Sequence, residues 1–146
     1  MIHEPRLTAR AIADALGRAL CSGVYGFRDG PDDDVPPPPE IRTRIPLPRG
    51  GFASVYLDLL DARAPLLTDC GTTIPAVRDV ARLPNRIVRA IVEAHGCLID
   101  RHDFVGRQLD EADPGPDAAQ LVLCVAAIAA QAYGCRAGPE LRRRPR

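Results

Sequence analysis

Apolar positions in this chain form two helical stripes, one at each end, with a strand-like middle between them. Ile12, Leu16 and Leu20 recur every four residues, with Ala9, Ala15 and Ala19 beside them, which predicts a helix over Leu7–Cys21. Thr8 suits its N-cap, and Gly23 suits a left-handed residue after its end. Val24–Phe27 predicts a short strand. Ile41–Leu47 alternates apolar and polar residues but meets Pro46 and Pro48, which predicts an edge strand. Phe52–Asp61 has the cleanest alternation, with Ala53, Val55, Leu57 and Leu59 on one face and Ser54, Tyr56 and Asp58 on the other. Gly50 and Gly51 supply a turn before it, so residues 41–61 predict a hairpin.

Residues 62–84 carry Pro65, Gly71, Pro75 and Pro84 and read as irregular. Arg86–Ile99 fits two periods. Helical spacing groups Leu83, Ile87, Ile91 and Leu98; strand spacing groups Val88, Ala90, Val92 and Ala94 against Arg89, Glu93 and His95. Its isoleucine and valine content, with Gly96, favours a long strand. Arg101–Pro116 is polar and loop-like. The last stripe, Ala118–Gly134, holds 17 residues without a charge, AAQLVLCVAAIAAQAYG, with Asp117 as N-cap and Gly134 as terminator. Such a helix must be covered by its own fold, by a partner or by lipid. Gln120 and Gln131 lie within it, and it falls short of the ~20 apolar residues of a membrane span, so no membrane is expected. The expected architecture is α+β in one domain, residues 1–146. It has an N-terminal helix, a mostly antiparallel sheet of three to five mid-chain strands, and the apolar C-terminal helix packed on that sheet.

Composition changes this picture in three places. The 19 basic residues are all arginine and balance 19 acids, which argues against a general nucleic-acid binder. With 21 alanines and 15 prolines, the arginine content follows a GC-rich coding bias and marks sites weakly. Charge is also uneven: residues 1–40 hold seven acids and four arginines, whereas residues 136–146 hold five arginines and one acid. Oppositely charged ends suit head-to-tail contact between identical subunits. Residues 28–40, RDGPDDDVPPPPE, predict an extended loop or arm, because proline lacks an N–H and favours polyproline geometry. The predicted partner interface comprises Asp32, Asp33, Asp34, Pro36, Pro37, Pro38 and Pro39 of that arm, with Arg42 and Arg44. Arg142, Arg143, Arg144 and Arg146 of the tail (residues 136–146) complete it.

Candidate chemistry is sparse. Five widely spaced cysteines without a CxxC, and an N-terminus without an apolar signal segment, predict synthesis in a reducing cytoplasm. His95, Cys97 and His102 supply three potential zinc ligands where about four at structured spacing are needed. Cys70 could act as a nucleophile with His95 or His102 as base and Asp100 or Asp103 orienting it, yet no catalytic motif surrounds it. Asp32–Asp34 lack the alternation of a calcium loop. The expectation is no enzyme, no metal and no cofactor.

The run of elements resembles the small neck and tail-terminator proteins of tailed bacteriophages, particularly those of actinobacterial hosts. The resemblance is carried by the helix Leu7–Cys21, the proline loop, the strand Phe52–Asp61, and IVEAHGCLIDRHD followed by DPGPDAAQ and the alanine-rich helix. It implies a virion protein at the head–tail junction, made in the bacterial host cytoplasm. It further implies a homomeric ring of six that contacts neighbouring neck and tail-tube proteins and meets DNA only in its lumen. The alternatives are a small cytoplasmic Cys/His-dependent enzyme and a DNA-binding regulator using the arginine tail.

Overall fold

Thr8 starts the first helix as its side chain predicts. Its Oγ1 accepts a hydrogen bond from the Ala11 amide at 3.1 Å, pairing one of the amides that a helix start leaves free. This helix, α1 (Ala9–Leu20), buries Ala9, Ile12, Ala13, Ala15 and Leu16. A computed structural model describes residues 7–20, 26–28, 38–58 and 65–143, with side chains as far as Tyr133. Gly23, Val24 and Leu59, assigned above to a cap and two strands, lie outside the described residues.

Among the described residues, six strands form one antiparallel sheet: β1 (Gly26–Arg28), β2 (Glu40–Pro46), β3 (Phe52–Asp58), β4 (Leu66–Thr68), β5 (Leu98–Ile99) and β6 (Val105–Gln108). Their order is β1-β2-β3-β4-β6-β5. The alternation of β3 holds: Ala53, Val55 and Leu57 are buried, while Ser54, Tyr56 and Asp58 are half-buried on the opposite face. The helices α1, α2 (Thr73–Arg78), α3 (Asn85–Ala94) and α4 (Gly115–Arg143) complete an α+β fold, with Ile41, Val55, Leu57 and Leu67 sharing one core with them.

Five expectations are corrected. The sheet has six strands among the described residues rather than three to five. β2 is not an edge strand, since it lies between β1 and β3. It tolerates Pro46 because that residue is its last and follows a register irregularity beyond Arg42. There the Thr43 hydroxyl donates to the Ala53 carbonyl at 2.6 Å and accepts from the Ile45 amide at 3.2 Å. The segments read as irregular contain β4, α2 and β6. These are short, at three, six and four residues, too short to establish a period in sequence.

The fourth correction concerns residues 86–99, which are not one long strand but the helix α3 followed by β5. Val88 and Val92 are four apart and satisfy both periods, so they could not discriminate. Ala90 and Ala94 do: a strand would bury them beside Val88 and Val92, and both are exposed. The other helical neighbours, Ile87 and Ile91, are half-buried. Gly96 ends the helix, with φ of 63°. The Gly96 amide bonds to the Glu93 carbonyl and the Cys97 amide to that of Val92, the paired pattern of a helix end closed by a left-handed residue.

α4 also differs from its predicted bounds. It starts at Gly115, so Asp117 lies in its first turn, and it runs through Gly134 to Arg143. Leu121, Val125 and Ile128 are fully buried, as the stripe requires. Residues Gly115–Tyr133 have the length and composition of a membrane span, but more than half of them are buried against the rest of the chain. Asp117 serves as an anchor. Its Oδ1 accepts from Arg107 Nε at 2.9 Å and its Oδ2 from the Asp110 amide at 2.9 Å. Arg107 Nη1 donates to the carbonyls of His95 and Gly96 at 2.8 and 2.9 Å. One guanidinium on β6 therefore holds the end of α3 and the start of α4, a fork geometry that lysine cannot reproduce.

Leu121→Ala should destabilise the protein by about 2–5 kcal/mol in urea unfolding, because it opens a cavity in a packed core. Leu123→Ala, on the outward side of the same helix, should cost less than about 1 kcal/mol in a dilute sample. Equal losses would contradict the orientation of α4.

Candidate functional site

β4 runs into the turn Thr68–Asp69–Cys70–Gly71–Thr72, and the fully buried Asp69 organises it. Its Oδ1 accepts from the amides of Gly71 and Val105, both at 2.9 Å, and its Oδ2 from the Thr73 amide at 3.2 Å. The backbone adds to this, since the Asp69 amide donates to the Val105 carbonyl at 3.0 Å. Cys70 (φ 53°) and Gly71 (φ 73°) turn through left-handed geometry. A Cβ on Gly71 would lie 2.6 Å from the Phe104 ring, so only glycine fits there. Thr73 is buried beside this turn, and its Oγ1 has no hydrogen-bond partner among the described residues.

The candidate nucleophile sits in this turn, and its surroundings oppose the role. Burial pushes the Cys70 thiol above its ordinary pKa, and the charges of Asp69 and Asp58 push it further. An activated thiol needs the reverse, a cationic or otherwise electropositive neighbour. His95 caps α3, where its Nδ1 donates to the Ile91 carbonyl at 2.9 Å. Asp100 shapes the β5–β6 turn instead of orienting a base. Its Oδ1 accepts from the amides of Phe104 and His102, and the Phe104 bond foremost holds its carboxyl below the usual range. Asp103 pairs with Arg78 at 2.9 Å.

His95 and Cys97, weighed above with His102 as potential zinc ligands, flank Gly96 at the end of α3. Cys97 turns inward, with Sγ 3.9 Å from the Gln120 carbonyl of α4. His102 faces Phe104, ring centroids 6.4 Å apart. Among the described residues, no three His, Cys, Asp or Glu side chains are grouped to hold a metal ion.

Of the predicted interface, Asp32, Asp33, Asp34, Pro36 and Pro37 lie outside the described residues, as do Arg144, Arg146 and the side chains of Arg142 and Arg143. The two ends of residues 28–40 are joined: Arg28 and Glu40 pair across β1 and β2, and the Pro38 carbonyl accepts from Arg28 Nη2 at 2.9 Å. Arg42 and Arg44 are exposed on the sheet face opposite the helices. Glu40, Arg42, Ser54 and Tyr56 cluster on that face, with Arg28 beside them. Partial burial raises the Glu40 carboxyl, but hydrogen bonds from Ser54 and Arg42 and the charges of Arg42 and Arg28 outweigh it and lower its pKa. Burial, then the charges of Glu40 and Cys70, raise that of Tyr56.

The feature the sequence pattern did not announce is the outward side of α4. Leu123, Ala130 and Tyr133 are exposed, with Ala126 and Ala127 half-buried among them. Leu123 and Tyr133 are 43% and 49% exposed, far more than a helix buried on all sides would allow. The signal was present: once Leu121, Val125 and Ile128 are set inward, the 3.6-residue period turns these five residues outward. Comparison with protein-family models, with curated proteins and with solved structures finds no match to this chain.

Asp69→Ala should destabilise by about 3 kcal/mol or more, because three amides, two of them buried, lose a shared acceptor. Thr73→Val should do the opposite, adding up to about 1 kcal/mol by removing an unpaired buried hydroxyl at nearly constant shape. Urea unfolding of both variants checks this. A neutral Asp69→Ala would show that the turn does not depend on its carboxyl.

Proposed function

We propose that this chain is a structural subunit that assembles with copies of itself. The observation that carries this reading is the uncharged outward side of α4, where Leu123 and Tyr133 stand exposed in a run free of charge from Ala118 to Tyr133. Alanines between them permit close approach of a neighbouring chain. Leu123–Tyr133 spans about 15 Å of helix at 1.5 Å per residue, enough for the centre of an interface but not for its whole area. The remainder falls to the polar sheet face around Arg42 and Arg44 and to the oppositely charged ends of the chain.

The more particular reading follows the phage resemblance: a ring, of six copies, at the head–tail junction of a virion, meeting other neck and tail-tube proteins. Its support is the order of elements, namely an amphipathic N-terminal helix, an antiparallel sheet and a long apolar C-terminal helix. Arginine suits the inter-subunit contacts because its planar fork binds carboxylates through two hydrogen bonds. Exposed pairs of this kind are individually weak and are screened over about 8–10 Å at ordinary ionic strength. The apolar helix side therefore supplies the stability of the ring, and the charges its register.

Sedimentation of the full-length protein should show a multi-subunit species. The double variant Leu123→Glu, Tyr133→Glu should shift it to monomer with its thermal midpoint in dilute solution little changed. Deleting residues 141–146 should weaken assembly and reduce its dependence on salt. A full-length protein that stays monomeric as its concentration rises would overturn the proposal.

A further inference from the structure

We propose that Cys97 and Cys124 form a dithiol site that peroxide closes into an intramolecular disulfide, tying the end of α3 to α4. The two cysteines come from different elements and meet inside the fold. Cys97 follows the left-handed Gly96, and its Sγ lies 3.6 Å from the His95 carbonyl and 3.9 Å from that of Gln120. Cys124 is one turn beyond Gln120 on α4. Helical side chains lean back over the preceding turn, so its Sγ points toward that same carbonyl. Each thiol is the foremost influence on the other's titration, which sets the two sulfurs side by side. Cys124 is fully buried, and Cys97 retains 7% exposure.

The surroundings make the two thiols unequal. The hydrogen bond from Cys124 and the charge of Arg107 favour the thiolate of Cys97, whereas the same contact and burial disfavour that of Cys124. Cys97, the more accessible of the pair, is thus the attacking sulfur. Its thiolate takes one oxygen from hydrogen peroxide, giving a sulfenic acid and hydroxide. The Cys124 sulfur then attacks the Cys97 sulfur, the S–S bond forms, and the sulfenic oxygen leaves as water. In sum, two thiols and one peroxide become one disulfide and two waters.

The new bond would enclose β5, β6 and the start of α4, the elements that Arg107 and Asp117 already join. Gly96 provides the backbone freedom for Cys97 to close the remaining gap. For Cys70, the other described cysteine, burial and then the charges of Asp69 and Asp58 disfavour the thiolate. The inference does not depend on the assembly reading.

The test is to oxidise the folded full-length protein with hydrogen peroxide and alkylate the remaining thiols under denaturing conditions. Peptides are then mapped without reduction. The expected product is a linked pair of peptides containing Cys97 and Cys124, released by dithiothreitol, with Cys70 recovered alkylated. The thermal midpoint should rise on oxidation and fall back on reduction. Cys124→Ser should instead accumulate a Cys97 sulfenic acid that dimedone traps, with no rise in midpoint. Cys97 and Cys124 recovered as free thiols while Cys70 is oxidised would overturn the proposal. So would a disulfide joining Cys97 to a different cysteine, or sulfinic acid at Cys97 without a link. The mapping uses the unmodified chain, so it decides even where a variant fails to fold.

Discussion

The buried carboxyl of Asp69 is the contact on which the middle of this fold depends. Three amides, from Gly71, Thr73 and Val105, converge on its two oxygens. They belong to the turn after β4, the first residue of α2 and the first residue of β6, segments up to 36 residues apart in sequence. A buried polar group without partners costs several times what a surface contact yields, so these segments are specified together or not at all. Further along β6, Arg107 does the same for α3 and α4, joining them through carbonyls and Asp117. Arg107 thereby holds the start of the long helix to β6.

How much of this could be read from the sequence depends on the length of each element. α1, β3 and the buried side of α4 have enough residues to establish a period, and their inward positions follow from it. β4, α2 and β6 do not. They are held by long-range contacts to Asp69 and to neighbouring strands, which no local pattern announces. The region of α3 misled for another reason. Val88 and Val92 fit both periods, and β-branched content weighed toward a strand. The deciding signal was Gly96, whose position after Ala94 and His95 marks a helix end more naturally than a strand interior.

The candidate site was legible only in some of its residues. Arg42 and Arg44 do stand exposed on the sheet. The cysteine and histidine positions were visible as residue types, but their grouping was not. Spacing suggested His95 with Cys97, and folding instead sets Cys97 against α4 and Cys124. Cys70 and Cys97 differ in their surroundings. Burial, then the charges of Asp69 and Asp58, disfavours the thiolate of the first, whereas the neighbouring Cys124 thiol, then the charge of Arg107, favours that of the second.

α4 has two apolar sides with different roles. The inner side, Leu121, Val125 and Ile128, completes the core and accounts for why the chain folds. The outer side, around Leu123 and Tyr133, adds nothing to that core and remains in contact with solvent in a single chain. The assembly proposed above would give it a purpose. Electron microscopy of the purified full-length protein tests this most directly. The account predicts closed particles with rotational symmetry, whose mass is a whole multiple of the 15.8 kDa chain. Particles no larger than a single chain, at every concentration, would contradict it.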